Sequence, residues 1–211
     1  MYMLPAMTMH CTGMSRAALF RRGALGSGAL LVSASGLAAL APVASADTPP
    51  DADLAYLRVL VAAELLVLDF QTRALASGKL RHQAVHALFR RIRTDEKAHY
   101  TQLAALLTAA GETPATPGDI DFSYPKGSLR SQRSIVTLAG RLEHLMVAAY
   151  VGAIENVQTP ELRLTIGRIA ANEAQHQGAL AGLRGDSVVG AALAPALQIG
   201  AVSNALDEFE S

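Results

Sequence analysis

Apolar residues recur at alternating steps of three and four along four stretches of the chain, the spacing that turns one face of an α-helix into a core. The first stretch carries Leu54, Leu57, Val61, Leu68 and Leu75, and the second Val85, Leu88, Ile92, Leu103 and Leu106. The third carries Val136, Ala139, Val147 and Ile154, and the fourth Leu162, Ile166, Ile169, Leu180 and Leu183. Gly78 and Gly111 stop the first two, while Thr159-Pro160 supplies an N-cap followed by proline at the first helical position. The pattern predicts helices over residues 53–77, 80–110, 131–158 and 160–183, with a looser tail from Asp186 and a short fifth helix over 202–210. Helices one and two are joined by a very short turn, as are three and four, so each pair is an antiparallel hairpin. Residues 111–130 are rich in Pro, Gly and Asp and stay non-helical, long enough to run the length of a bundle. The expected fold is all-α: a four-helix bundle of two hairpins joined by a long crossover, plus a short C-terminal helix.

Each stripe is broken near its middle by charge. In the second it is Glu96-x-x-His99, in the fourth Glu173-x-x-His176, in the first Glu64 and in the third Glu143. An unpaired buried carboxylate is costly, and four of them repel one another unless positive charge lies between them. No Lys or Arg stands in the stripes at that level, so divalent cations are the natural compensation. Residues three apart point the same way on a helix, so one Glu-x-x-His can offer an oxygen and a nitrogen to one ion. The halves repeat: Glu64 lies 32 residues before Glu96, and Glu143 lies 30 before Glu173, so each hairpin supplies one Glu and one Glu-x-x-His.

This set resembles the ligands of the ferritin-like superfamily, which includes bacterioferritins and rubrerythrins. Asp95-Glu96-Lys97-Ala98-His99, Leu142-Glu143 followed by Ala149-Tyr150-Val151-Gly152-Ala153, and Glu173-Ala174-Gln175-His176 are closer still to an exported ferritin-like domain family. The resemblance spans residues 54–183 and implies a ferritin-like bundle holding two metal ions. It implies that Glu96 and Glu173 bridge them, with Glu64 and Glu143 as terminal ligands. Oxygen-rich sites with two histidines suit iron first and manganese as the alternative, ahead of zinc or copper.

Neighbouring residues are weighed by position. Tyr150 lies two turns from Glu143 on the same stripe, and either fills the core or contacts a ligand from behind. Asp95 faces away from the ions and orients a ligand on a neighbouring helix. His144 is rotated about 100° from Glu143 and belongs outside the ligand set. His82 and His86 fall on a solvated face near Arg90, Arg91 and Arg93, and Glu155 lies too near the hairpin turn to match the depth of the other ligands.

Composition narrows the setting. The chain has 211 residues, 51% of them apolar, with 18 basic and 18 acidic side chains, and no basic block points to nucleic acid. Residues 1–46 read as an export signal of twin-arginine type. Arg21 and Arg22 precede a Gly/Ala-rich apolar run, and Ala44-Ser45-Ala46 forms a cleavage site before Asp47; Met14 is an alternative start. Cleavage leaves 15 basic against 18 acidic residues, a linker over 47–53, the bundle over 54–183 and an extension over 184–211. The only cysteine, Cys11, lies in the leader, so the mature chain offers no disulfide, thiolate site or iron–sulfur cluster. The expected location is the periplasm, the cell envelope or the exterior. No membrane span remains after cleavage, and self-association would use the bundle faces.

Three activities fit: a di-iron protein reacting with oxygen or peroxide or oxidising ferrous iron, a dimanganese enzyme dismutating peroxide, and a non-enzymatic envelope or stress-protection protein using the bundle structurally. The absence of a rubredoxin-like cysteine module counts against a self-contained peroxidase, and export counts against a cytoplasmic storage cage.

Overall fold

The computed structural model describes residues 49–210; the export-signal reading, with Arg21, Arg22, Ala44 and Ala46, lies outside them. Five helices follow one another: α1 (Asp51–Ala76), α2 (Gln83–Ala109), α3 (Gln132–Asn156), α4 (Pro160–Arg184) and α5 (Ile199–Asp207). The first four form the bundle, as two antiparallel hairpins linked by a long crossover, and α5 is the short C-terminal helix. At one end the His82 N–H donates to Gln132 Oε1 at 3.2 Å, tying the start of α2 to the start of α3. At the other, Asp53 binds the α3–α4 turn, accepting from the N–H of Gln158 at 2.9 Å and of Thr159 at 2.8 Å, and from the Thr159 hydroxyl at 2.6 Å.

Helix ends differ from the expected ones for local reasons. α1 starts at Asp51, inside the stretch expected to be linker, because Asp51 and Asp53 both favour the positive end of a helix following Pro50. α2 starts three residues later than expected. Gly78 turns the chain with φ 65°, Leu80 drops into the core, and His82 stays extended with ψ 120°. Ser131 caps α3 in a reciprocal capping box with Ser134. α4 ends where Gly185 takes the left-handed conformation, φ 80°. The fifth helix begins at Ile199, three residues early, and ends three residues early at Asp207.

The four bundle helices are not buried alike. α1 and α3 bury about half of their residues, whereas α2 and α4 bury about a quarter. The reason is the tail: α5 packs on both α1 and α3, and its approach is fastened by the Leu197 N–H donating to the Ala148 carbonyl of α3 at 2.9 Å. Gly152 makes the approach possible, since a Cβ there would fall 1.8 Å from the Leu197 carbonyl oxygen. Beyond α5, the Ser123 N–H of the crossover donates to the Phe209 carbonyl at 2.6 Å. Tyr124 of the crossover stacks obliquely between Phe70 and Phe209. In α2 the buried stripe drifts with the 3.6-residue period, so Phe89 and Leu107 take the core places expected for Leu88 and Leu106. Among the described residues α3 alone is long and apolar enough to cross a membrane, and 72% of that stretch is buried inside the bundle.

Candidate metal centre

Glu64, Glu96, His99, Glu143, Glu173 and His176 meet in the middle of the bundle, one or two from each helix. All four glutamates are fully buried, and His99 and His176 are 8% and 5% exposed. The neighbouring stripe residues are apolar: Ile92 and Leu103 flank Glu96 and His99 in α2, and Ile169 and Leu180 flank the α4 pair. The six donors fall into two overlapping groups, Glu64/Glu96/His99/Glu173 and Glu96/Glu143/Glu173/His176, and within each the ligand atoms lie within 4.8 Å of one another. Glu96 and Glu173 belong to both groups.

The histidines aim the same nitrogen inward. His99 Nδ1 lies 2.8 Å from Glu173 Oε1, 3.4 Å from Glu96 Oε2 and 3.8 Å from Glu64 Oε2. His176 Nδ1 lies 3.0 Å from Glu96 Oε1, 3.5 Å from Glu173 Oε2 and 3.7 Å from Glu143 Oε2. Close as they are, several of these contacts are not aligned as hydrogen bonds. Both oxygens of Glu143 and Glu173, one each of Glu64 and Glu96, and His176 Nδ1 are buried with no hydrogen-bond partner. Buried polar atoms are seldom left so. Donors about 2.1 Å from a shared ion in octahedral geometry stand about 3 Å apart, so this convergence matches atoms facing a common cation better than atoms facing each other.

The outward nitrogens are held by the opposite helix. His99 Nε2 is 3.0 Å from Asn172 Oδ1 of α4, and His176 Nε2 is 3.4 Å from Asp95 Oδ2 of α2. An acceptor behind Nε2 keeps a proton there, so Nδ1 is the nitrogen that turns a lone pair inward once it gives up its own proton. Asp95 is in turn bound by Arg91 Nε at 2.7 Å. From behind Glu64, the Tyr150 hydroxyl donates a hydrogen bond to Oε1.

Proton affinities follow from burial and crowding. Burial, then the charge of Glu96, pushes Glu64 and Glu143 well above the usual carboxylate range. Burial would lower His99, but contacts to Glu173 and Glu96 outweigh it and hold the ring up to about 9. His176 is raised further, burial again being overridden, here by Glu143, Glu173 and Glu96. Glu173 goes the other way: burial would raise it, yet His176 and His99 bring it down to about 2. Burial and the neighbouring Glu64 carboxylate push the Tyr150 hydroxyl up. Protons thus supply part of the positive charge that the carboxylates need, and a cation entering the site must displace them.

These geometries can be set beside known proteins. The family model of the ferritin-like domain matches residues 52–186. The chain belongs to the ferritin-like domain family. The match begins one residue into α1 and ends just past α4, so the domain is the four-helix bundle with its buried carboxylate and histidine groups, which could bind metal. None of the curated proteins matches the chain, so no activity carries across from a relative.

The other expected residues also find places. Asp95 stands outside the six residues and contacts the outer nitrogen of His176 across helices, and Tyr150 is both fully buried and bound to Glu64. His144 is exposed and accepts from Gln177 Nε2 at 2.8 Å, away from the six donors. Glu155 and His82 are exposed and His86 is half-buried. Three further residues carry more in the structure than their sequence pattern announces. Asn172 stands just before Glu173 as Asp95 stands just before Glu96, and that register was the available signal. Gln71, fully buried with both amide atoms unpartnered, lies seven residues after Glu64 as Tyr150 lies seven after Glu143. Asp53 offered no signal beyond an acidic helix start.

Proposed function

We propose that Glu64, Glu96, His99, Glu143, Glu173 and His176 hold two metal ions, and that the protein is an exported redox protein reacting with oxygen or peroxide or oxidising ferrous iron. The observation that carries the reading is the convergence of four buried carboxylates and two inward Nδ1 atoms with no Lys or Arg among them. The donor set, oxygen-rich with two imidazoles, favours iron, with manganese as the alternative. Bound there, two irons would supply two-electron redox chemistry, with the oxidant and the electron donor both coming from outside the protein.

The chain's own residues support this in identifiable ways. Glu96 and Glu173, common to both groups, would serve both ions, and Glu64 and Glu143 would serve one each. Asn172 and Asp95 hold the Nε2 proton of each ring, so that Nδ1 is the nitrogen that would bind an ion after losing its own proton. Tyr150 holds its proton against Glu64 Oε1, the hydrogen bond nearest to the terminal carboxylate of one half. Flanking apolar turns keep bulk water away, and the half-buried Asp95 and Asn172 stand between the two histidines and the surface. Export rests on the paired arginines and the Ala44-Ser45-Ala46 site.

Elemental analysis of protein purified from its native envelope tests this directly. The expected result is about two irons per chain. Two manganeses would move the reading to peroxide dismutation. A metal-free protein that takes up neither ion on reconstitution would leave only the structural role. Glu96→Ala combined with Glu173→Ala is expected to abolish binding while circular dichroism still reports a helical protein; two retained ions would show that the ligands are elsewhere.

A further inference from the structure

The two halves of the centre are related by a pseudo-twofold axis, and their inner donors are chemically the same. Each has its own Glu and His and shares Glu96 and Glu173 with the other. Whatever distinguishes them lies one layer out, and there the symmetry fails twice. Behind His176 Nε2 stands the Asp95 carboxylate, whereas behind His99 Nε2 stands the Asn172 amide. Behind Glu64 stands the Tyr150 hydroxyl, whereas the matching place in α1 is taken by Gln71.

Both differences act in one direction. A carboxylate accepting the Nε2 proton makes the imidazole a stronger donor at Nδ1 and adds negative charge near the ion; a neutral amide does neither. A hydroxyl donating to Glu64 Oε1 withdraws electron density from the carboxylate whose other oxygen, Oε2, faces the site. Arg91 works against the first effect through its 2.7 Å contact with Asp95, but that guanidinium is largely exposed, where water screens it.

Resting on the di-metal reading above, we infer that the half built on Glu143 and His176 holds its ion more tightly than the half built on Glu64 and His99, and that Asp95 is the positioning residue responsible. Partners of this kind alter metal affinity about 10- to 100-fold, which sets the expected gap. The protein therefore passes through a state with one ion, on the His176 side.

Cobalt(II) added to the metal-free full-length protein reads this out, by its visible absorption and by calorimetry, without any activity assay. The wild type is expected to take up two equivalents in two resolved steps. Repulsion between ions sharing two carboxylates could separate the steps by itself, so the variants decide. Asp95→Asn is expected to weaken the first step at least about tenfold and draw the two together. Asn172→Asp, nearly identical in shape, is expected to draw them together from the other side by strengthening the second. His99→Ala should keep one tight equivalent, and His176→Ala only one weak one. Steps that do not move in Asp95→Asn and Asn172→Asp, or a tight equivalent surviving in His176→Ala, overturn this inference and leave the di-metal reading standing. A wild type that takes up no cobalt overturns both.

Discussion

Two imidazolium rings packed among four glutamates make the metal-free protein sensitive to base. His99 is held up to about 9, against about 6.5 in an unfolded chain. A raised pKa means that the folded state binds the proton more strongly. The contribution is therefore complete below pH 6.5 and is lost as pH rises through about 9. The raised Glu64 and Glu143 carboxyls act in the same sense, since ionising them in the core is unfavourable. Urea unfolding of metal-free protein is expected to show lower stability at pH 9.5 than at pH 6.5, with the loss reduced in His99→Gln; a flat profile would mean that the rings are not charged. At this scale the sequence is a good guide to the six residues that meet in the core. Placing Glu or His in an apolar stripe is so unfavourable that the exception announces itself. Asn172 and Gln71 are harder to notice, because a lone amide on a helix is ordinary until its counterpart in the other half is located.

At the scale of elements, the turns and the tail carry information that periodicity does not. Asp53 looks like a generic acid at a helix start, yet it accepts three hydrogen bonds from a turn over a hundred residues away. Asp53→Ala leaves those donors without their acceptor and is expected to cost about 3 kcal/mol, a fall of roughly 6–12 °C in thermal midpoint. Asp53→Ala behaving like the wild type in a thermal melt would mean that water replaces the carboxylate. Gly152 gives a cleaner sign. In an open helix Gly→Ala stabilises by about 1 kcal/mol. Here the new methyl meets the Leu197 carbonyl, so Gly152→Ala is expected to destabilise by about 1–3 kcal/mol and to speed proteolytic cleavage between Asp186 and Gln198. A stabilised variant would show that the tail can lift off at little cost. The four long helices were legible because each repeats its stripe several times. Their ends were legible only to within a few residues, since Asp53 and the extended His82 make their hydrogen bonds to other elements.

For the whole molecule, topology could be read from connection lengths alone, two short turns around one crossover. The seating of the tail could not be read that way, because it depends on Gly152 meeting one backbone carbonyl. Export belongs to the same scale: mass spectrometry of protein recovered from the envelope is expected to find a chain starting at Asp47, and a chain retaining Arg21 and Arg22 would argue for a leader that is kept. The uneven burial of the bundle has a consequence for reading variation. In α1 and α3 so many positions are enclosed that packing by itself would hold most of them invariant across divergent relatives, and invariance there would single out no chemistry. In α2 and α4 about three residues in four are exposed or half-buried and less constrained by packing, so positions that stay fixed on those two helices are the informative ones. A saturation screen scored for folding and, separately, for bound metal is expected to show the two scores moving together along α1 and α3. Along α2 and α4 they should part company at Asp95, Glu96, His99, Asn172, Glu173 and His176.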